Sequence, residues 1–71
     1  MKNSTMWNCI VLHQVNGRIV SRWDFGDELD KAIDFVHDAM DDVYQTGKHL
    51  FDVIDEKTGR RFYKQEFEII G

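Results

Sequence analysis

Aspartates recur through the middle of this chain at a spacing that suits the binding of positive charge. Residues 24–42 contain eight acidic residues and a single basic one, Lys31, so this segment carries −7 while the rest carries +3. On a helix of 100° per residue, five aspartates would share an arc of about 80°. These five are Asp27, Asp30, Asp34, Asp38 and Asp41. Such a row of short carboxylates suits arginine and lysine side chains of a partner, or imitates the phosphates of a nucleic acid.

The same row opposes helix stability, which favours a role in binding over a role in solubility alone. Aspartate is a poorer helix former than glutamate, and like charges four residues apart each cost roughly a few tenths of a kcal/mol. The later aspartates also lie where the helix dipole favours cations. We therefore predict an acidic partner-binding face formed by Asp30, Asp34, Asp38, Asp41 and Asp42. The alternative is an ordinary solvated helix face.

Side chains for catalysis or metal binding are sparse. His37 has Asp34 three residues before it and Asp41 four residues after it, but helices rich in aspartate produce such triplets by chance. Cys9 and His13 would lie about 13 Å apart on one strand, which is too far for proton transfer. The chain contains no glycine-rich phosphate loop, zinc-ligand spacing or nucleophile elbow. We predict a binding protein rather than an enzyme, with no metal and no cofactor.

The elements that would position these residues begin with a β-hairpin. Residues 6–15 and 18–25 are rich in strand-forming side chains, and Asn16-Gly17 lies between them. Asn-Gly favours a two-residue turn, because both central positions of that turn need a positive φ. The predicted pairs are Val15 with Arg18, His13 with Val20, and Val11 with Arg22.

A helix is predicted over residues 28–45. Asp27 is a favourable N-cap, and Asp30 stands three residues later, where a capping box carries its second polar residue. Gly47 suits the position just past the end of the helix. The helix would bury a stripe of apolar residues at helical spacing, made of Leu29, Ile33, Val36, Met40, Val43 and Tyr44.

A second hairpin is predicted after the helix, with strands at 49–55 and 60–70 around the turn 56–59. The order ββαββ predicts an α+β fold, in which one helix packs on one face of a four-stranded, mainly antiparallel sheet. Residues 1–71 would form a single small α+β domain. The buried face of the second hairpin stays open at this point, because Phe62 and Tyr63 are adjacent and both favour burial.

One helix leaves one face of the sheet uncovered. Strand alternation predicts a covered face of Ile10, Leu12, Ile19, Trp23 and Phe25. The uncovered face would carry Trp7, Val11, Val20 and Arg22. We predict that a second molecule covers it, either a partner or another copy in a homodimer. The alternative is a partly exposed face with scattered apolar residues.

Basic residues on the strands suggest a second function. Arg18 and Arg22 would share a face with Trp7, and further basic residues lie on the last strand at Arg60, Arg61 and Lys64. Arginines and aromatic rings on an open sheet hold single-stranded nucleic acid in several folds. The alternative is that these basic side chains lie on the strands only to prevent aggregation through the edges of the sheet. The net charge of −4 opposes tight binding to a nucleic-acid backbone.

Size and composition indicate a small binding module of the cytoplasm. Cys9 is the one cysteine, so no intramolecular disulfide can form, and no apolar run approaches the 18 or so residues of a membrane span. In size, acidity and element order the chain is similar to many small phage or mobile-element proteins that bind and inhibit a host machine. That resemblance implies a non-enzymatic inhibitor whose acidic helix face occupies a basic surface of a host protein.

Overall fold

The computed structural model describes residues 7–71 as four strands and one helix. The elements are β1 (Cys9–Val15), β2 (Arg18–Gly26), α1 (Leu29–Met40), β3 (Gly47–Asp55) and β4 (Arg61–Ile69). The strands form one open sheet in the order β2-β1-β3-β4, and every neighbouring pair is antiparallel. The α+β fold with the order ββαββ is therefore confirmed. Met6, predicted as the start of the first strand, lies outside the described residues.

The first hairpin turns at the predicted place, but its register changes along the strands. Asn16 and Gly17 have φ values of 52° and 85°, and Val15 pairs with Arg18 as predicted. Val20 is then an unpaired extra residue on β2. This bulge shifts all later pairs by one residue, so that the other two predicted pairs are wrong. His13 lies opposite Ser21, and Val11 lies opposite Trp23.

The prediction of which side chains are covered is right for Trp23 and Phe25, which pack against the core, and reversed for β1. A shift of one residue exchanges the two faces of a strand, and Trp23 therefore joins Val11 on the side of α1. The core between α1 and the sheet consists of Cys9, Val11, Ala32, Val36, Phe51 and Val53, all fully buried. Ile19, predicted to be covered, is 60% exposed. Ile10 and Leu12, also predicted to be covered, lie on the other face.

The sheet face turned away from α1 is the open face. Its central strands contribute Ile10, Leu12, Leu50, Asp52 and Ile54, and its edge strands contribute Arg22, Asp24, Lys64 and Glu66. In the second hairpin, Tyr63 and Phe67 lie on the side of α1, opposite Val53 and His49. Phe62 is an extra residue between two pairs of this ladder, which allows Phe62 and Tyr63 both to pack against the core.

The helix is shorter than predicted at its C-terminal end. It ends at Met40 rather than at 45, and Tyr44 is 80% exposed instead of buried. Aspartates near the negative end of the helix dipole oppose further turns, and Val43 packs against the core without being helical. Gly47 is not a helix cap: it begins β3 at φ 132°, where an added Cβ would lie 2.9 Å from the side-chain nitrogen of Asn16.

The helix also starts without the predicted cap. Its N-cap is Glu28 rather than Asp27, and the Glu28 side chain makes no capping hydrogen bond. The backbone nitrogen of Leu29 instead donates to the carbonyl of Asp27 at 3.1 Å. Within residues 7–71, no helix is long and apolar enough to cross a membrane.

Candidate functional site

The predicted acidic face remains one continuous surface although the helix is shorter. Asp30, Asp34 and Asp38 follow one another at four-residue spacing on α1, a rise of about 6 Å per step. Asp41 is the C-cap and keeps a helical backbone, and its amide donates to the carbonyl of Asp38 at 3.2 Å. Asp42 follows in the same turn. All five side chains are exposed, and together they form the acidic surface.

The acidic surface carries charge that the described part of the chain does not neutralise. Four salt bridges occur between residues 7 and 71, and none of them includes an aspartate of this surface. The nearest base in sequence, Lys31, binds Glu28 at 2.9 Å instead. The hydrogen bond and charge of Glu28 raise the pKa of Lys31, so its positive charge is held beside Glu28. The acidic surface therefore offers five carboxylates to basic groups outside the described chain.

The opposite side of α1 fixes the position of this surface. Ala32 and Val36 are completely buried against the sheet. The ring of Phe35 packs 4.6 Å from Trp23 and 5.4 Å from Phe25, measured between ring centroids. Near the C-terminal end of α1, Nε2 of His37 lies 2.6 Å from the hydroxyl of Tyr63 on β4. His37 thus anchors the helix, and the carboxylates project from a supported element.

The four residues predicted as a sheet-face interface do not share a face. Val11 is fully buried beneath α1, so its prediction as an exposed interface residue is wrong. Trp7 is also on the side of α1, where its ring meets the ring of Phe62 edge-on at 5.6 Å. Val20 is 53% exposed at the bulge of the edge strand. Arg22 alone of the four lies on the open face, because the bulges separate residues that regular alternation would have placed together.

Two arginine side chains form ion pairs on the side of the open face. Arg61 on β4 reaches Asp52 on β3, with Nε lying 2.7 Å from Oδ1 but out of line for a hydrogen bond at that atom. Arg22 on β2 pairs with Glu56 just after β3, and so spans the intervening strand β1. Ile10 on β1, on the same face, is only 4% exposed. The aliphatic stems of the two arginines would account for that burial, since such stems commonly cover apolar surface.

A ring stack joins three strands at a place that sequence analysis did not single out. His13 lies 4.2 Å from Phe51 with nearly parallel rings, and His49 lies 5.1 Å from Phe67 in the same way. Nε2 of His13 is 2.9 Å from Nδ1 of His49, and Nε2 of His49 is 2.7 Å from the carbonyl of Gln45. The carbonyl only accepts, so His49 donates to Gln45 and accepts from His13.

The two histidines pack within the ring stack, and this environment disfavours a positive charge on His13. Burial, and secondly the charge of His49, lower the pKa of His13. This pair follows only from the register between β1 and β3, which places His13 opposite Phe51 and diagonally across from His49, two residues before Phe51. That register cannot be read from the local sequence around either histidine.

Two further titratable groups near the start of β1 are structural. Cys9 has no exposed surface, and burial followed by the charges of Asp55 and Asp27 raises its thiol pKa. Asp55 accepts from the backbone nitrogens of Asn8 and Lys57 and from the hydroxyl of Thr58, at 3.0–3.1 Å. The Asn8 hydrogen bond is the main reason that the pKa of Asp55 is lowered. Asp55 thereby ties the second turn to β1.

Comparison of the chain with protein families, with curated proteins and with solved structures found no match. Its function has to be inferred from its own side chains, and the acidic surface is the largest concentration of unpaired charge that the described residues present.

Proposed function

We propose that this chain is a non-enzymatic protein-binding module that occupies a basic surface of another protein through its acidic surface. One observation carries the proposal: Asp30, Asp34, Asp38, Asp41 and Asp42 are all exposed, and none forms a salt bridge within residues 7–71. In contrast, Arg22, Arg61 and Lys64 each pair with a carboxylate elsewhere. These basic side chains are thus neutralised locally, whereas the aspartates of the acidic surface are not.

The aspartates of the acidic surface lower the stability of α1, which favours a role in binding over a role in folding. Asp38 lies in the last turn of α1, and Asp41 and Asp42 follow its end, where negative charge meets the negative end of the dipole. Asp34 and Asp38 repel each other at four-residue spacing. A surface that lowers stability is retained more readily when a partner uses it, because binding offsets the cost.

Occupation of the partner's surface is the inhibitory step in this proposal. The row of carboxylates competes with any acidic ligand, including nucleic acid, for the same arginine and lysine side chains. We place the chain in the cytoplasm, where a reducing environment suits a protein with a single buried cysteine.

Single-stranded nucleic-acid binding, the alternative function, has weaker support. It requires aromatic rings beside the arginines of the open face, since stacking supplies much of the affinity. The rings of Trp7, Trp23, Phe62, Tyr63 and Phe67 all pack against the core on the side of α1. The arginines of the open face are already paired with Asp52 and Glu56. We therefore propose a protein, rather than a nucleic acid, as the partner.

The test uses two variants that change the net charge equally on opposite sides. The double variant Asp34→Asn/Asp38→Asn removes two charges from the acidic surface. The control Asp24→Asn/Glu68→Gln removes two exposed charges from the open side of the edge strands. Each protein is immobilised and used to capture partners from host lysate, and the association rate of the captured, purified partner is then measured at low and high salt.

We expect the acidic-surface variant to associate more slowly than the parent, and the control to keep the parent's rate. The difference should shrink at high salt, because exposed charges are screened over about 8 Å at physiological ionic strength. Equal association rates for all three proteins at both salt concentrations would reject the acidic surface as the binding site. A shift of single-stranded oligonucleotides by the parent would favour the alternative function.

A further inference from the structure

Strand β4 has one unpaired edge. It lies at the end of the sheet order β2-β1-β3-β4 and pairs only with β3 within the described residues. From Tyr63 to Ile69 its pairing with β3 is regular, whereas β2 at the other edge is interrupted by two bulges. A regular edge presents a row of free backbone donors and acceptors to another strand. Such an edge is suited to extending the sheet with a strand from a second molecule.

From Tyr63 to Phe67, the side chains of β4 form matched pairs on either side of Gln65. One position away on either side are opposite charges, Lys64 and Glu66, both on the open face. Two positions away on either side are aromatic rings, Tyr63 and Phe67, both on the side of α1. A sequence with this symmetry is complementary to itself when two copies run antiparallel, since each residue then faces the one equally far on the other side of the centre.

The geometry points to a second copy of this chain as the occupant of the edge, paired β4 to β4 across a two-fold axis at Gln65. Lys64 of each copy then lies directly opposite Glu66 of the other, and Tyr63 of each copy lies opposite Phe67 of the other. Opposite charges and aromatic pairs in directly facing positions stabilise antiparallel strands. The result is a continuous eight-stranded sheet with both helices on the same side.

Neighbouring registers are less favourable. A two-fold axis at Lys64 places two lysines face to face, and an axis at Glu66 places two glutamates face to face, which destabilises the strand pair. The side chains needed at the Gln65 axis are accessible: Lys64 and Glu66 are 45% and 62% exposed, and they contact each other only loosely at 3.6 Å. The weak internal pair of each copy can be exchanged for a pair between the copies, so that two intermolecular pairs replace two internal ones.

This interface differs from the sheet-face homodimer predicted from the sequence and does not use the acidic surface. Pairing along a single edge buries less than the roughly 1,200–2,000 Å² of a stable standard-size interface, so the dimer should be weak and depend on concentration. The acidic surfaces of both copies stay free, and a dimer would present two of them to a partner.

The proposed pairing of Lys64 with Glu66 of the other copy is tested by mixing two variants. Lys64→Glu places glutamate against Glu66 in a dimer with itself, and Glu66→Lys places lysine against Lys64. Each variant alone should therefore be monomeric, whereas an equimolar mixture restores both ionic pairs and should dimerise like the parent. Sedimentation velocity from about 10 μM to about 1 mM covers the range expected for a weak interface, and circular dichroism of each variant checks that it is folded.

Cross-linking tests the axis independently of those charges. In Gln65→Cys the two introduced thiols face each other across the axis, at a Cα separation of about 4.5–5.5 Å that a disulfide can bridge. In Lys64→Cys the equivalent atoms would lie about 8 Å apart, beyond the reach of a disulfide. The native thiol of Cys9 is fully buried and serves as the background.

We expect mild oxidation to give a covalent dimer with Gln65→Cys, and little or none with Lys64→Cys or the parent. A parent that remains monomeric to about 1 mM, together with no cross-link at Gln65→Cys, would overturn the proposal. Equal cross-linking at both positions, or a mixture of charge variants that stays monomeric while the parent dimerises, would overturn the Gln65 register.

Discussion

Nε2 of His13 lies 2.9 Å from Nδ1 of His49, and the one proton between them belongs to His13, because His49 donates its own N–H to Gln45. An added proton on His13 goes to its other ring nitrogen, Nδ1. The charged ring would then lie 4.2 Å from the ring of Phe51 inside the stack. The pair joins β1 to β3, so its protonation bears directly on the centre of the sheet.

We predict that stability falls on mild acidification because of His13. Burial first, and then the charge of His49, lower the pKa of His13 in the folded protein. The unfolded chain, with an ordinary histidine pKa of about 6.5, therefore binds more protons than the folded one below that pH. The stability is complete above about pH 6.5 and is lost as the pH falls towards the lower pKa of the folded state.

Urea unfolding from pH 8 to pH 5 measures this loss. In the variant His13→Gln the side chain keeps a hydrogen-bonding group but does not titrate, so the fall between pH 7 and pH 5.5 should be smaller than in the parent. Parallel curves for the two proteins would show that His13 does not control this range.

A second prediction concerns the cost of the acidic surface. Replacing Asp38, Asp41 and Asp42 together by asparagine removes repulsion between like charges and relieves the end of the helix dipole. Each site should contribute roughly a few tenths of a kcal/mol, so the unfolding midpoint should rise modestly. Thermal unfolding at low salt measures it, and a lower midpoint would mean that these carboxylates form stabilising contacts.

A third prediction separates two valines of the first hairpin. Val11 is fully buried beneath α1, and Val11→Ala should lower the free energy of unfolding by about 2 kcal/mol through lost burial and a cavity. Val20 is 53% exposed, and Val20→Ala should change stability by less than about 0.5 kcal/mol. Chemical denaturation of both variants measures the two losses of stability. Equal losses would contradict the burial of Val11 beneath α1 and the exposure of Val20.

A fourth prediction concerns the reactivity of Cys9. The thiol has no exposed surface, and burial raises its pKa, so little reactive thiolate is present at neutral pH. We expect a maleimide reagent to label Cys9 many times more slowly in the native protein than in urea. Rapid labelling under native conditions would show that the edge of the core beside β1 opens frequently.

The parts of the fold that follow from local sequence were predictable, and those set by packing between strands were not. Asn16-Gly17 specifies its turn because few residues tolerate positive φ, and the turn forms as predicted. The extra residues Val20 and Phe62 carry no such local signal, and with these bulges Trp23 and Tyr63 lie on the side of α1. One inserted residue was enough to place Trp23 on the face of Val11 rather than on the predicted face of Ile10 and Leu12.

The candidate site was likewise predictable where it depends on local sequence, and not where it depends on contacts between strands. The aspartate row depends only on spacing along one helix, and the structure keeps it together despite the shorter helix. The pairing of His13 with His49 depends on contact between residues 36 positions apart, which no local pattern reveals. The pairing of Arg22 with Glu56 likewise crosses a strand between them.

The order of the strands also sets how the chain reaches its folded state. Each hairpin closes between neighbouring segments, but the central seam of β1 and β3 joins residues 34 to 46 positions apart, from Val15–His49 to Cys9–Asp55. Joining distant segments costs loop entropy before contacts repay it, so topology of this kind slows folding. We therefore expect docking of the two hairpins, with α1 closing over their seam, to govern the folding rate. Substitutions in that seam would slow refolding, whereas substitutions in the exposed turn after Asp55 would act chiefly on the rate of unfolding.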